Sequence, residues 1–244
     1  MNGLSDIKLS PSVGTKRSAL IDIGLVLGAM LILKYALMRV DALWTYAGPV
    51  SLLAALAVAG WRLHERDETW SNLGLKRPQS WPKTIRLALL ALVLTTVVGI
   101  ILESATAAVL ADSVARAENS NAGRFADVPG NTAAFIYWLA VAWIIGAFAE
   151  EMLFRAFFIT RFEVLFSRIP FGLAFAVILP AILFGQQHYY YQGASGAFAT
   201  GGVALASGIL YLLFKRSLWP LTLSHGIINT VGFTLIYAGV QPAG

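Results

Sequence analysis

The chain has 244 residues, of which 57% are hydrophobic and only 13% are charged. Typical globular proteins carry about 25% charged residues, so the composition excludes a water-soluble domain and predicts an all-α, polytopic helical membrane protein. The net charge of +5 does not indicate a nucleic-acid partner, because most basic residues lie in loops between apolar segments. The absence of cysteine excludes disulfides and thiolate metal ligands.

Seven apolar segments approach the ~20 residues that cross a bilayer, and an eighth follows if a long one is split. We therefore predict about seven transmembrane helices, or eight. They are expected near residues 18–38, 43–61, 84–110, 132–154, 171–190, 196–214 and 218–240. The chain then divides into an N-terminal tail (1–17), N-terminal helices and loops (18–131) and a four-helix core (132–240).

Loop charges predict the orientation of the helices in the membrane. Lys and Arg are frequent in the N-terminal tail, in the 62–86 loop and in the 215–217 turn, whereas the alternate loops are poor in them or balanced by acids. The positive-inside rule places the basic loops in the cytoplasm. We expect an inner (plasma) membrane protein with a cytoplasmic N-terminus, an external 111–131 loop, and Trp70 and Trp81 at headgroup level.

Three charged residues interrupt the apolar segment "FAEEMLFRAFF" in the fourth span. Glu151 and Arg155 are four residues apart, so they share a helical face and can pair. Glu150 lies about 100° around the helix and has no such partner, which suits a general base or acid. An ionisable residue at membrane depth indicates a functional site. The alternative is that Arg155 reaches the interface and both glutamates lie in a water-filled vestibule.

Two later spans carry histidines in similar patterns. "FGQQH" places Phe184 and His188 on one face, and "SHGIIN" does the same for His225 and Asn229. Taken singly, these residues are also typical of interfacial or interhelical hydrogen bonds. Together with Glu150, they can hold a metal ion or position a water for attack on a carbonyl.

The expected metal is a divalent ion, zinc above all, with His188, His225 and Glu150 as ligands, because neutral imidazole and carboxylate suit that ion. In this scheme Glu150 deprotonates the water. His225 and Asn229 donate hydrogen bonds to the oxyanion.

The ordered motifs "EEMLFR", "FGQQH" and "HGIIN" resemble those of the CAAX-protease and bacteriocin-processing family of intramembrane endopeptidases. "YLLFKRSLWPLTLSHGIIN" and "WSNLGLKRP" are similar to further stretches of that family. The resemblance is specific over about residues 140–232. It implies a metalloprotease similar to the type II CAAX prenyl endopeptidases, which remove the last three residues after a prenylated cysteine. The implied partners are a membrane-associated peptide or prenylated protein and the lipid bilayer.

The resemblance also implies roles for individual residues. Glu150 would be the catalytic base, and Glu151 with Arg155 its orienting ion pair. His188 would bind the water or metal. The last motif, His225 and Asn229, would complete the site as a ligand or oxyanion stabiliser.

Other functions stay open at the level of sequence. "GASG" around Ser195, with His225 as base, is compatible with a rhomboid-type serine protease. A transporter could use Glu103 and Lys34 in a proton path. Within the same family, a non-catalytic scaffold or bacteriocin immunity protein would need none of the site residues.

The predicted boundaries leave one conflict about depth. We expect a polar chamber that opens toward the cytoplasm, near Glu150 and His225. His188, however, lies 17 residues into its predicted span, which is ~25 Å at 1.5 Å per residue. We therefore expect the fifth span to begin later, near Ala176, or to break around Pro180.

Overall fold

The computed structural model describes residues 14–109 and 123–240, and these ranges form helices without any strand. The predicted all-α class is confirmed. The helices are α1 (Lys16–Leu37), α2 (Asp41–Trp44), α3 (Ala47–His64), α4 (Trp81–Val109), α5 (Thr132–Phe166), α6 (Gly172–Leu213) and α7 (Trp219–Tyr237). In the described part, α1, α4, α5 and α6 are long and apolar enough to cross a membrane. The exact number of spans stays a prediction.

Helix α6 is a hairpin. Its 42 residues would measure ~63 Å if straight, twice the ~30 Å of a bilayer core. Gly193 breaks the helix with φ 64° and ψ −167°, a backbone conformation that is essentially restricted to glycine. The two halves pack closely, since a side chain at Gly185 would collide with the carbonyl of Ala197. These halves match the two predicted spans at 171–190 and 196–214.

Helix α5 is longer than its predicted span of 132–154. It has 35 residues and is π-helical over Ala142–Ala149 and Glu151–Ile159. Residues 151–164 are all buried. In the sequence, the charged residues after Phe148 indicate the end of a membrane span. In the structure, Glu151, Arg161 and Glu163 form ion pairs within the protein, and the helix continues.

The bundle has two ends, which we define by their connecting segments. The basic end consists of residues 65–80, 167–171 and 214–218. The far end consists of residues 38–46, residues 123–131 and the kink at Gly193. Across the far end, the backbone N–H of Gly130 donates to the carbonyl of Tyr237 at 3.0 Å.

An ion network fastens the basic end. Asp22 on α1 lies 2.9 Å from Arg62, 3.0 Å from Arg66 and 3.0 Å from Arg161. Arg161 also donates to Glu68 at 2.9 Å. Buried charges require such pairing, because an isolated one is strongly destabilising. The network therefore joins α1, α3, α5 and the 65–80 segment.

The 65–80 segment folds onto the bundle instead of lying only at the interface. Tyr211 donates its hydroxyl to the carbonyl of Leu73 at 2.7 Å, and the Leu73 side chain is buried. Trp70 packs against the core, whereas Trp81 is exposed. Only Trp81 has the exposure expected of a residue at headgroup level.

Candidate active site

The first and third motifs meet through Glu151. Its Oε2 lies 3.1 Å from Nε of Arg155, so the ion pair predicted within α5 is confirmed. Its Oε1 lies 3.0 Å from Nδ1 of His225 on α7. A carboxylate only accepts hydrogen bonds, so Nδ1 carries the proton and donates. In the neutral ring, Nε2 of His225 is then an acceptor.

Glu150 lies beside the Glu151–His225 contact but on a different face of α5. Its Oε2 is 3.9 Å from Nε2 of His225, too far for a direct hydrogen bond but close enough for one water to contact both atoms. The Glu150 side chain is 18% exposed, whereas that of Glu151 is 2% exposed. The two neighbouring glutamates therefore differ: Glu151 is buried and paired, and Glu150 is open to a cavity.

The second motif is held by its own helical turn. Nδ1 of His188 lies 2.8 Å from the carbonyl oxygen of Phe184 and therefore donates to it, which leaves Nε2 available. The His188 and Phe184 rings are 4.5 Å apart, and the guanidinium of Arg155 lies 4.7 Å from the Phe184 ring centre. Phe184 thus connects His188 to the ion pair of the first motif.

Asn229 completes the convergence of the three motifs. Its Nδ2 donates to the carbonyl of Ala142 at 3.1 Å, which leaves its second amide hydrogen free of that bond. Glycines allow α5 and α7 to approach each other here. A Cβ at Gly146 would lie 3.0 Å from Nδ2 of Asn229, and one at Gly226 would collide with the ring of Trp143.

One cavity of about 150 Å³ contains these functional groups. It has room for several water molecules. Glu150, His188, His225 and Asn229 all line it. Glu151 and Arg155 do not appear in its wall, and they support His225 from behind.

The depth conflict disappears because α5 continues to the basic end. Glu150 lies 16 residues before Phe166, His188 lies 16 residues after Gly172, and both side chains line the same cavity, so the two lie at a similar depth. Helix α6 begins at Gly172 and continues through Pro180. The expected late start or break in the fifth span is therefore wrong, and the shared depth comes from the longer α5.

The residues that line the chamber lie toward the far end of the bundle. On the basic-end side of Glu150, α5 continues with Phe154, Phe157 and Phe158, all at most 2% exposed. Toward the far end its wall includes Gly48, at the start of α3, and Tyr191, just before the α6 kink. A cytoplasmic basic end and a chamber open to the cytoplasm are therefore incompatible predictions.

The side chains as placed do not fit the predicted three-ligand metal site. In residues 14–109 and 123–240, no three His, Asp or Glu side chains are grouped closely enough to hold one ion. Nδ1 of His188 and Nδ1 of His225 both donate to oxygen acceptors, as metal-bound histidines also do, so each Nε2 remains available. The divalent metal therefore stays a prediction.

Two cations near the cavity were not assigned to the site from sequence. Arg124, in the 123–131 segment, lines the cavity. Lys34 on α1 donates to the backbone carbonyl of Gln187 at 2.6 Å and to its side-chain oxygen at 3.0 Å. Neither lies in a recognisable motif. Lys34, an ionisable residue inside a span, was the only one of the two with a signal in the sequence.

The structure does not place Ser195 beside His225, as the serine-protease alternative requires. Oγ of Ser195 lies 2.7 Å from Oγ1 of Thr106, and Ser195 does not line the cavity that contains His225. His225 is bonded to Glu151 instead. Glu103, a candidate for a proton path, is exposed on α4.

Long apolar helices around a chamber lined by polar side chains define an integral membrane protein. Residues 132–231 match the family model described as Type II CAAX prenyl endopeptidase Rce1-like. The match starts at the first residue of α5 and contains all three motifs, so the predicted family is confirmed for this segment. The match indicates a protease. Neither the curated proteins nor the solved structures contain a match to the chain.

Proposed function

We propose that this protein is an intramembrane endopeptidase that hydrolyses a peptide bond with a water activated by Glu150. The observation that carries the proposal is the common cavity of Glu150, His188, His225 and Asn229. A carboxylate near two imidazole acceptors is suited to remove a proton from water.

The attack begins with one water between Glu150 and His225. Both facing atoms, Oε2 and Nε2, can accept its hydrogens, which orients the oxygen lone pair toward a bound carbonyl. Glu151 keeps His225 in the required tautomer by accepting from Nδ1, and Arg155 holds Glu151 in turn. His225 then acts as an acceptor for the water, and it would donate to an oxyanion only after taking up a proton.

The remaining steps use Glu150 and Asn229. As the water oxygen bonds to the carbonyl carbon, its proton passes to Glu150. The free amide hydrogen of Asn229 donates to the developing oxyanion, where a positioned donor has a large effect. Glu150 then returns the proton to the amide nitrogen, and the carbon–nitrogen bond breaks. The carboxylic acid that forms passes its proton to the released amine, so the products are a carboxylate and an ammonium group, with no covalent intermediate.

The metal prediction is separate from these steps. A bound zinc ion would polarise the carbonyl and acidify the attacking water. Metal content of purified wild type and His188→Ala, with cleavage measured with and without a chelator, tests that prediction. Equal zinc content in the two proteins, or none in either, would contradict His188 as a ligand.

The orientation decides which substrates can enter. With the basic end on the cytoplasmic side of the plasma membrane, the chamber opens to the outer face. It would then bind lipid-anchored or membrane peptides that are presented on that face. A prenylated tail in the cytoplasm, as in the CAAX-processing class, would require the opposite orientation. We propose the first arrangement, because the basic residues at 62–86 outnumber those at 111–131.

The test of the activity is a cleavage assay with the purified full chain in proteoliposomes. Membrane peptides are added, and products are identified by mass spectrometry. Glu150→Gln should lower the rate by ~10²–10⁴, the usual contribution of a general base. Glu103→Gln, an exposed glutamate on α4, is the matched control and should cleave like wild type. Undiminished cleavage by Glu150→Gln would overturn the mechanism. Absence of cleavage by wild type and every variant would favour a scaffold or immunity role.

A further inference from the structure

A buried lysine of α1 is bonded to the helix that carries the second motif. Lys34 is 1% exposed. Its Nζ donates to the backbone carbonyl of Gln187 at 2.6 Å and to the side-chain oxygen of the same residue at 3.0 Å, and it lies 4.4 Å from the ring centre of Tyr190. Among the described residues, no carboxylate pairs with Lys34. An ionisable residue buried in this way within an apolar helix is costly, which indicates a functional role.

Two further hydrogen bonds close a circuit between α1 and α6. An ammonium group only donates, so the side-chain oxygen of Gln187 faces Lys34 and its amide nitrogen faces away. That nitrogen donates to Oε1 of Gln186 at 2.6 Å, and the amide of Gln186 donates to the hydroxyl of Tyr35 at 2.8 Å. The circuit therefore leaves α1 at Lys34 and returns to it at Tyr35. Both glutamine side chains are fixed in orientation by it.

The circuit acts on the peptide group that precedes His188. The carbonyl that accepts from Lys34 belongs to the peptide bond between Gln187 and His188. The His188 ring is held by the same turn, through its bond to the carbonyl of Phe184. Gly193 breaks α6 only five residues later, and helix ends fray. Contact with α1 therefore supports this turn from outside its own helix.

We infer that Lys34 is a positioning residue, which holds the turn from Phe184 to His188 so that the His188 ring stays in the cavity beside Glu150. The inference rests on the proposed function, because it assigns Lys34 to the geometry of that reaction. Met30, one helical turn before Lys34, lines the same cavity. Helix α1 is thereby part of the catalytic unit, although it lies outside the family match at residues 132–231.

Lys34→Met separates a positioning role from a structural one, because it removes the donors and keeps a long unbranched side chain. Loss of a buried cation that has no counter-charge should leave the unfolding temperature equal or higher. In the cleavage assay, kcat should nevertheless fall by ~10–100-fold with KM within about twofold, since a displacement of about 1 Å near the reacting groups can cost ~10²-fold. Lys83→Met, an exposed lysine on α4, is the matched control and should change none of these quantities.

Tyr35→Phe tests the return half of the circuit. It removes only the hydroxyl that accepts from Gln186, at a position that is 50% exposed. It should lower kcat in the wild-type background but not in the Lys34→Met background, because two substitutions in one hydrogen-bond network are not additive. Additive effects of the two substitutions would contradict a common circuit.

The placement of His188 can also be measured without turnover. The chain has three histidines, so isotope labelling of histidine gives three sets of ring signals in NMR spectra, which single substitutions assign. Lys34→Met should shift the His188 signal and leave that of His64, exposed at the end of α3, unchanged. Tyr35→Phe should shift the same signal, and it provides this readout if Lys34→Met does not fold.

The two readouts distinguish failure of the inference from failure of the proposed function. An unchanged His188 signal, or a shifted signal with unchanged kcat, overturns the inference while wild-type cleavage leaves the protease intact. If the proposed function is wrong, the His188 signal still shifts in Lys34→Met, but wild type cleaves no peptide.

Discussion

The carboxylate of Glu151 and the ring of His225 are in contact at 3.0 Å, although 74 residues of chain separate them. This contact joins α5 to α7 at the centre of the motif cluster. It gives Glu151 two partners, Arg155 within its own helix and His225 on another. Glu151 therefore has both a structural and a positioning role, and the two can be separated by substitution.

Glu151→Gln should lower both stability and cleavage. The buried guanidinium of Arg155 loses its counter-charge, and breaking a buried pair on one side costs about 3–5 kcal/mol. The double substitution Glu151→Gln with Arg155→Met should recover much of the stability without restoring cleavage, because the glutamine amide can donate to Nδ1 of His225 and hold the wrong tautomer. Thermal unfolding and cleavage rates of the three proteins measure this. Recovery of cleavage in the double variant would contradict the positioning role.

Asp22→Asn should destabilise the basic end. Asp22 lies within 3.0 Å of three arginines, and its neutralisation leaves excess positive charge in a buried network. We expect a lower unfolding temperature and faster proteolysis within residues 65–80. Asp41→Asn, at an exposed position on α2, is the control. If Asp22→Asn unfolds like wild type, the network does not fasten that segment.

Gly193→Ala should destabilise the α6 hairpin. At φ 64° and ψ −167° a residue with a side chain is strained by about 1–3 kcal/mol. Gly28→Ala is the matched control, because a Cβ there meets no atom within 4 Å and alanine is the better helix former. The unfolding temperature should fall for Gly193→Ala and should stay equal or rise for Gly28→Ala. The opposite order would argue against the kink.

Ser195→Ala should have a cleavage rate within about twofold of wild type, because Ser195 is hydrogen-bonded to Thr106 outside the cavity. Loss of that hydrogen bond should cost only ~1 kcal/mol of stability. The measurement is the initial cleavage rate at matched protein concentrations. Complete loss of cleavage, with unfolding unchanged, would revive the serine-protease alternative.

The orientation can be mapped directly because the chain has no cysteine. Arg77→Cys reports on the basic end and Ala126→Cys on the far end, and both positions are exposed. A membrane-impermeant maleimide added to intact cells should label Ala126→Cys, and it should label Arg77→Cys only after lysis. The reverse pattern would place the chamber opening in the cytoplasm and favour a prenylated cytoplasmic substrate.

Features that depend on spacing along one helix could be predicted from the sequence. The Glu151–Arg155 pair follows from a separation of four residues, and the split of α6 follows from its length and its glycines. The end of α5 could not be predicted this way. Its buried charges near Arg161 have the composition of a loop, and only their partners on α1 and in the 65–80 segment make burial tolerable.

The sequence by itself determined the class of the protein, its helical character and the residues that form the motifs, because apolar content and helical periodicity are local properties. Tertiary structure decided the common depth of Glu150 and His188, the link from Glu151 to His225, the direction of the chamber and the position of Arg124 in its wall. These depend on how far each helix is shifted along its neighbours. That shift is set by interhelical packing and ion pairing, which no local pattern records.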